Sequence, residues 1–309
     1  MIFLFRFKNI LSYSIYMITC KLMGGLGNQL FQIMAVISYA LQTNNDFFFV
    51  YSDETFGMTK RKTYWDSFLS CLTEVLVIKD AEEEKEEKEE KETKKIIVIK
   101  EKAFSYHDLP ENFSDESVEL VGYFQSYKYF DYYHSKIFRL LKLEQQKQNI
   151  RNKVDLDFET TISMHFRIGD YKKLPGYYVI LPINYYIKSL QHILNKSKTE
   201  NSNQKMKVIY FCEVQDLMIV SEMISVLEKK FEDLVFEHVK TPQEDWQQML
   251  LMSCCRYNVI ANSTFSWWGA YFNINYQKIV CYPGQWFGPV LKDKNDTKDL
   301  CPSDWIAIF

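Results

Sequence analysis

Gly24-Gly25-Leu26-Gly27-Asn28-Gln29-Leu30-Phe31-Gln32 follows a short apolar run, Met17 to Met23. It opens a segment of helical period through Leu30, Phe31, Met34, Ile37 and Leu41. An apolar run, a glycine cluster and helix-spaced apolar residues spell a strand, a tight turn and a helix. Glycines let the backbone come close to a ligand, and a helix N-terminus offers N–H groups to an anion. The spacing is not that of the dinucleotide fingerprint, because Asn28-Gln29 replaces the last glycine. Taken alone, the stretch is also ordinary α/β topology.

Outward from it, residues 46–51, 96–99 and 119–123 read as further strands of a mixed α/β first half. Residues 80–95 are nearly all Glu and Lys. They cannot bury a face and read as a solvated helix or an unstructured insertion without a functional role. The second half is more regular. Strand-like runs at 161–166, 207–212, 234–238, 257–261 and 278–282 alternate with helical patterns at 183–194, 215–231, 243–254 and 265–272. That alternation predicts a parallel sheet covered on both faces. The polar stretch 147–156 reads as the boundary, giving an extension 1–16, a first domain 17–155 and a second 156–309. The extension is apolar but broken by Arg6, Lys8 and Asn9. It is too short and interrupted for a transmembrane span, and is read as able to touch a membrane surface.

The chain has 309 residues, 47% of them apolar, and a net charge of −3. It can bury a large core and carries no basic excess, so nucleic acid is not an expected partner. Its 7 cysteines are odd in number and form no CxxC pair. They read as reduced thiols in a cytoplasmic setting, not as a disulfide framework or a zinc site.

Three segments carry candidate chemistry at or just past predicted strand ends, where open α/β sheets bind ligands. In His165-Phe166-Arg167-Ile168-Gly169-Asp170-Tyr171, strand alternation puts His165 and Arg167 on one side. Arg167 can clamp a phosphate with two parallel hydrogen bonds, and Asp170 can orient it or bind a hydroxyl. The plainer reading is a strand-end ion pair beside a core histidine. In Asn262-Ser263-Thr264-Phe265-Ser266-Trp267-Trp268-Gly269-Ala270, Ser263 or Thr264 is a natural N-cap, and the same hydroxyls and amides suit a phosphate. The tandem tryptophans read as core. In Glu244-Asp245-Trp246, acids at a helix start favour the dipole; a carboxylate there can also accept from a guanine. Glu213 is a weaker candidate of that kind. No Asp-x-Asp, His-x-His or HExxH occurs, so no metal ligand set is expected.

Together these segments resemble the α-1,2-fucosyltransferases of glycosyltransferase family 11. Residues 24–32, 165–171, 262–271 and Tyr282-Pro283-Gly284-Gln285-Trp286-Phe287 carry the resemblance, supported by Asn184-Tyr185-Tyr186 and the acidic helix 244–253. The resemblance implies a GT-B architecture, two Rossmann-like domains with a cleft between them, the first on the acceptor side. It implies a metal-independent, cofactor-free, inverting transfer of L-fucose from GDP-β-L-fucose to a glycan hydroxyl, by analogy the 2-OH of a terminal galactose. Arg167 would contact the β-phosphate, in a catalytic set with His165 and Asp170. Gly25, Gly27, Asn28 and Gln29 would face the donor. Asn262, Ser263 and Thr264 would hold the diphosphate, and His165 and Asp245 would lie near guanosine. Two departures stand out. Ile168 sits where a second arginine is usual, so transition-state charge is stabilised less or another base compensates. The acidic pair after the middle strand is reduced to Cys212-Glu213-Val214.

Overall fold

The structure is a computed structural model that describes residues 17–57, 59–77, 96–110, 116–197, 205–239 and 244–309. The extension 1–16 and the charged run 80–95 lie outside the described residues. The chain forms two compact units: Met1–Gly24 with Gln29–Leu141, and Gly25–Asn28 with Lys142–Phe309.

The strands of the first unit are β1 (Met17–Cys20), β2 (Asp46–Phe47), β3 (Phe49–Val50), β4 (Leu76–Val77), β5 (Ile96–Lys100) and β6 (Ser117–Val121), with helix α1 (Leu26–Thr43) between β1 and β2. β2, β1, β6 and β5 pair in that order as a parallel sheet, and β3 pairs with β4. The strand expected over 46–51 is thus split. Phe48 still donates its N–H to the Ile18 carbonyl (3.1 Å), but Phe49–Val50 turns to a different partner. Leu30, Phe31, Ile33, Met34, Val36 and Ile37 of α1 are all buried, so this helix is core on nearly every side. Two glutamines fasten the β1–α1 loop. Gln29 donates to the carbonyls of Gly24 (3.0 Å) and Lys62 (2.9 Å), and Gln32 both accepts from Met23 N–H (3.0 Å) and donates to Met23 O (2.8 Å).

The second unit holds β7 (Thr161–His165), β8 (Lys207–Phe211), β9 (Val235–His238), β10 (Tyr257–Val259), β11 (Ile279–Pro283) and β12 (Ile306–Ile308). They form one parallel sheet in the order β12-β11-β10-β7-β8-β9. The helices, continuing after α2 (His134–Leu140) of the first unit, are α3 (Leu143–Arg151), α4 (Ile183–Ser197), α5 (Leu217–Lys230), α6 (Asp245–Cys254) and α7 (Thr264–Tyr271). From β7 the chain winds outward to β8 and β9, then returns to lay β10 on the other side of β7. The strand order reverses there, and the crevice beyond the carboxyl ends of β7 and β10 is the binding position of such sheets.

The parallel α/β class holds in both units. The division does not fall at 155–156, because α3 belongs to the second unit. Its sequence is polar, yet Leu143 and Ile150 are buried, and so is Lys147, whose ammonium donates to the Phe272 carbonyl (3.0 Å) and pairs with Glu144 (3.2 Å). β12 has no counterpart among the expected strands. All seven cysteines are free. Among the described residues no helix is long and apolar enough to cross a membrane.

Candidate active site

The sheet's reversal point is built by two helix N-termini. Gly25–Asn28, the turn that enters α1, clusters with the second unit and meets the start of α7. A β-carbon on Gly27 would lie 2.5 Å from the Thr264 carbonyl carbon and 2.6 Å from its hydroxyl, so only glycine allows this approach. The corner is locked twice. Thr264 Oγ1 donates to Asn28 Oδ1 (2.9 Å), and the Trp268 indole N–H donates to the Gly27 carbonyl (2.8 Å). Ser263 is the extended N-cap residue of α7, as expected, but its hydroxyl makes no capping bond. Neither α1 nor α7 carries an acid in its first turn. Two uncompensated positive helix ends therefore face one corner, the arrangement that holds an anion.

Arg167 lies two residues past the end of β7, in the turn that follows the strand. Its Nη2 donates to Asp170 Oδ1 (2.6 Å), its Nη1 pairs with Glu213, and its guanidinium lies over the Tyr171 ring (5.2 Å). Its Nε is buried without a partner. Tyr171 in turn stacks on Tyr178 (4.3 Å) and donates its hydroxyl to the Asn262 carbonyl (2.7 Å), which ties the arginine turn to the head of α7. Burial pushes the Tyr171 phenol well above its ordinary pKa, so it stays a donor. From the other side, buried Asp216 accepts from Gly169 N–H (2.6 Å) and from Lys172 (2.9 Å). Ile168 turns inward and is buried in the core.

The remaining expected residues have definite places. His165 ends β7, buried against Phe265 of α7 (5.5 Å between rings), with Nδ1 unpartnered. Burial first, and the Arg167 charge second, pull its pKa down to about 3. It is a neutral imidazole with a polar atom to offer, not a cation. Asn262 does not present its amide donors to a ligand. Both are spent on the carbonyls of Val179 (3.0 Å) and Trp286 (3.0 Å). Gln29 is likewise committed to backbone carbonyls of the first unit. Asp245 opens α6 and accepts from Trp246 N–H (2.9 Å), while Glu244 forms a capping box with Gln247. Sequence reasoning missed Asp216, Trp268 and Tyr171 as builders of this site. Their signals were slight: an acid just past β8, and aromatic residues that also suit a core.

Replacing Gly27 with alanine drives a β-carbon into the Thr264 backbone. Gly27→Ala is expected to lose about 1–3 kcal/mol in urea unfolding. Wild-type stability would contradict the corner. The His165 ring, followed by NMR and assigned with His165→Gln, is expected to stay neutral from pH 5 to 9. Because its folded pKa is depressed, its protonation in the unfolded chain lowers stability as pH falls from about 6.5 toward 3. A titration midpoint near 6.5 in the folded protein would overturn this assignment.

The chain is similar to the O-antigen biosynthesis glycosyltransferase WbnK of Escherichia coli, at 27% identity over 93% of this chain and 99% of that protein. It is also similar to an alpha-1,2-colitosyltransferase of Escherichia coli, at 27% identity over 62% of this chain and 63% of that protein. Among solved structures, a mutant of Arabidopsis thaliana FUT1 in complex with GDP aligns with a TM-score of 0.47 and 11% identity, over 86% of this chain and 70% of that one. A match to glycosyl transferase family 11 runs over residues 9–308, and the chain belongs to that family.

Proposed function

We propose that this glycosyltransferase moves L-fucose from GDP-β-L-fucose to a sugar hydroxyl, with inversion at the anomeric carbon and the 2-OH of a terminal galactose as acceptor. The observation that carries the reading is the corner where Gly25–Asn28 and Ser263–Thr264 meet, with Arg167 tied to it through Tyr171 and Asn262. As GDP departs, the transition state resembles an oxocarbenium ion and negative charge grows on the β-phosphate. Fixed donors aimed at that charge stabilise the transition state more than the ground state. Arg167 offers its buried, unpartnered Nε, Ser263 its uncapping hydroxyl, and the first turns of α1 and α7 their amides. Thr264 and Asn28 hold the corner shut. His165, neutral beside Arg167, offers Nδ1 to the nucleotide without adding charge. In this proposal neither a metal nor a cofactor takes part. Among the described residues, no group of three or more His, Cys, Asp or Glu could hold a metal ion.

The test is turnover of GDP-fucose with terminal β-galactosides, followed by linkage determination, with the corresponding colitosyl donor assayed beside it. Fucosyl transfer giving an α-1,2 linkage is expected. GDP binding without turnover of either donor across an acceptor panel would reduce the protein to a binding module. Arg167→Ala is expected to lower the rate by ~10²-fold or more; near-normal turnover would remove Arg167 from this role.

A further inference from the structure

Building on the reading of Arg167 as the diphosphate clamp, the charges around it raise a difficulty. Arg167 pairs with Asp170 and Glu213, and Lys172, from the same turn, pairs with Asp216. Two cations against three carboxylates give this strand-end cluster an excess of negative charge. A diphosphate approaching it meets repulsion unless one carboxylate yields, because like charges brought together at a binding surface oppose association.

The carboxylates are not equivalent. Asp216 is buried and holds both Gly169 N–H and Lys172, so it is part of the turn's framework. Asp170 belongs to the same turn as Arg167, three residues away. Glu213 comes from outside that turn, at the end of the β8 strand. It occupies the N-cap position of the turn Val214–Asp216 without capping it. Among the described residues its carboxylate bonds only to Arg167 and Gln215. The space it occupies is kept open by Gly169, where a β-carbon would lie 2.5 Å from Glu213 Oε2. Its side chain is 35% exposed, so it has solvent to swing into. A carboxylate with no fold-holding bond, seated on the cation that the donor needs, has the properties of a displaceable anion.

We infer that Glu213 is an internal stand-in for the donor's phosphate. It pairs with Arg167 and leaves when the nucleoside diphosphate arrives. The clamp is thereby kept oriented and neutralised between turnovers, and only an anion able to outcompete a tethered carboxylate gains it. Glu213 is a positioning residue that sets donor affinity, and does not itself touch the reacting atoms.

The experiment is calorimetric titration of GDP into wild type, Glu213→Gln, Arg167→Ala and the double variant. Glutamine keeps the size of the side chain and removes its charge. Glu213→Gln is expected to bind GDP roughly fivefold to tenfold more tightly, a gain that a damaged fold does not produce. Arg167→Ala is expected to bind more weakly, and the gain is expected to vanish in the double variant. Equal or weaker GDP binding by Glu213→Gln, with the loss in Arg167→Ala intact, would overturn this inference alone. A gain that persists without Arg167 would also overturn it, leaving general repulsion instead of competition. Unchanged GDP binding in Arg167→Ala would overturn both this inference and the clamp reading beneath it.

Discussion

The absence of a β-carbon at Gly27 is the constraint on which the site depends. With nothing between the Gly27 and Thr264 backbones, the turn into α1 and the head of α7 can share one corner. The Trp268 indole and the Asn28–Thr264 bond then fix it, at about 1 kcal/mol for a typical hydrogen bond and more where burial leaves no alternative partner. Trp268 is fully buried, so its N–H must find an acceptor inside, and the Gly27 carbonyl is that acceptor. One packing requirement therefore sets the distance between two positive helix ends.

Electrostatics completes the corner and moderates it. The helix ends have no acid in their first turns and supply partial positive charge in a fixed direction. The full charge of Arg167 is held close by, but paired with carboxylates and lying over an aromatic face. A charge so held keeps its orientation set before a ligand arrives. His165 adds a polar atom without a second cation, since burial keeps it neutral. The tip of β7 thus separates the two tasks of bearing charge and of offering a neutral partner.

Much of this arrangement is legible in the residues themselves. The apolar runs and helical periods place the main strands and helices because each buries a face whose period shows in the sequence. His165 ends β7 with Arg167 just past it, and Ser263 and Thr264 open the helix that follows the neighbouring strand β10. What is illegible depends on distant partners. Asn262 looks like a ligand donor until Val179 and Trp286 claim its amide. Gln29 sits within the ligand-facing motif, but its amide fastens a loop. The stretch with Lys147 reads as a linker because its charge hides a buried helix face, and that lysine is explained by the distant Phe272 carbonyl together with Glu144. Glu213 gives no hint that it meets an arginine 46 positions earlier.

The account is tested most directly by a crystal structure of the protein with GDP. The β-phosphate is predicted to sit at the corner, its oxygens about 2.7–3.2 Å from amides at the head of α7 and from Arg167 Nη1, the atom that Glu213 holds. A diphosphate bound away from that corner, with Arg167 still closed on its carboxylates, would contradict it.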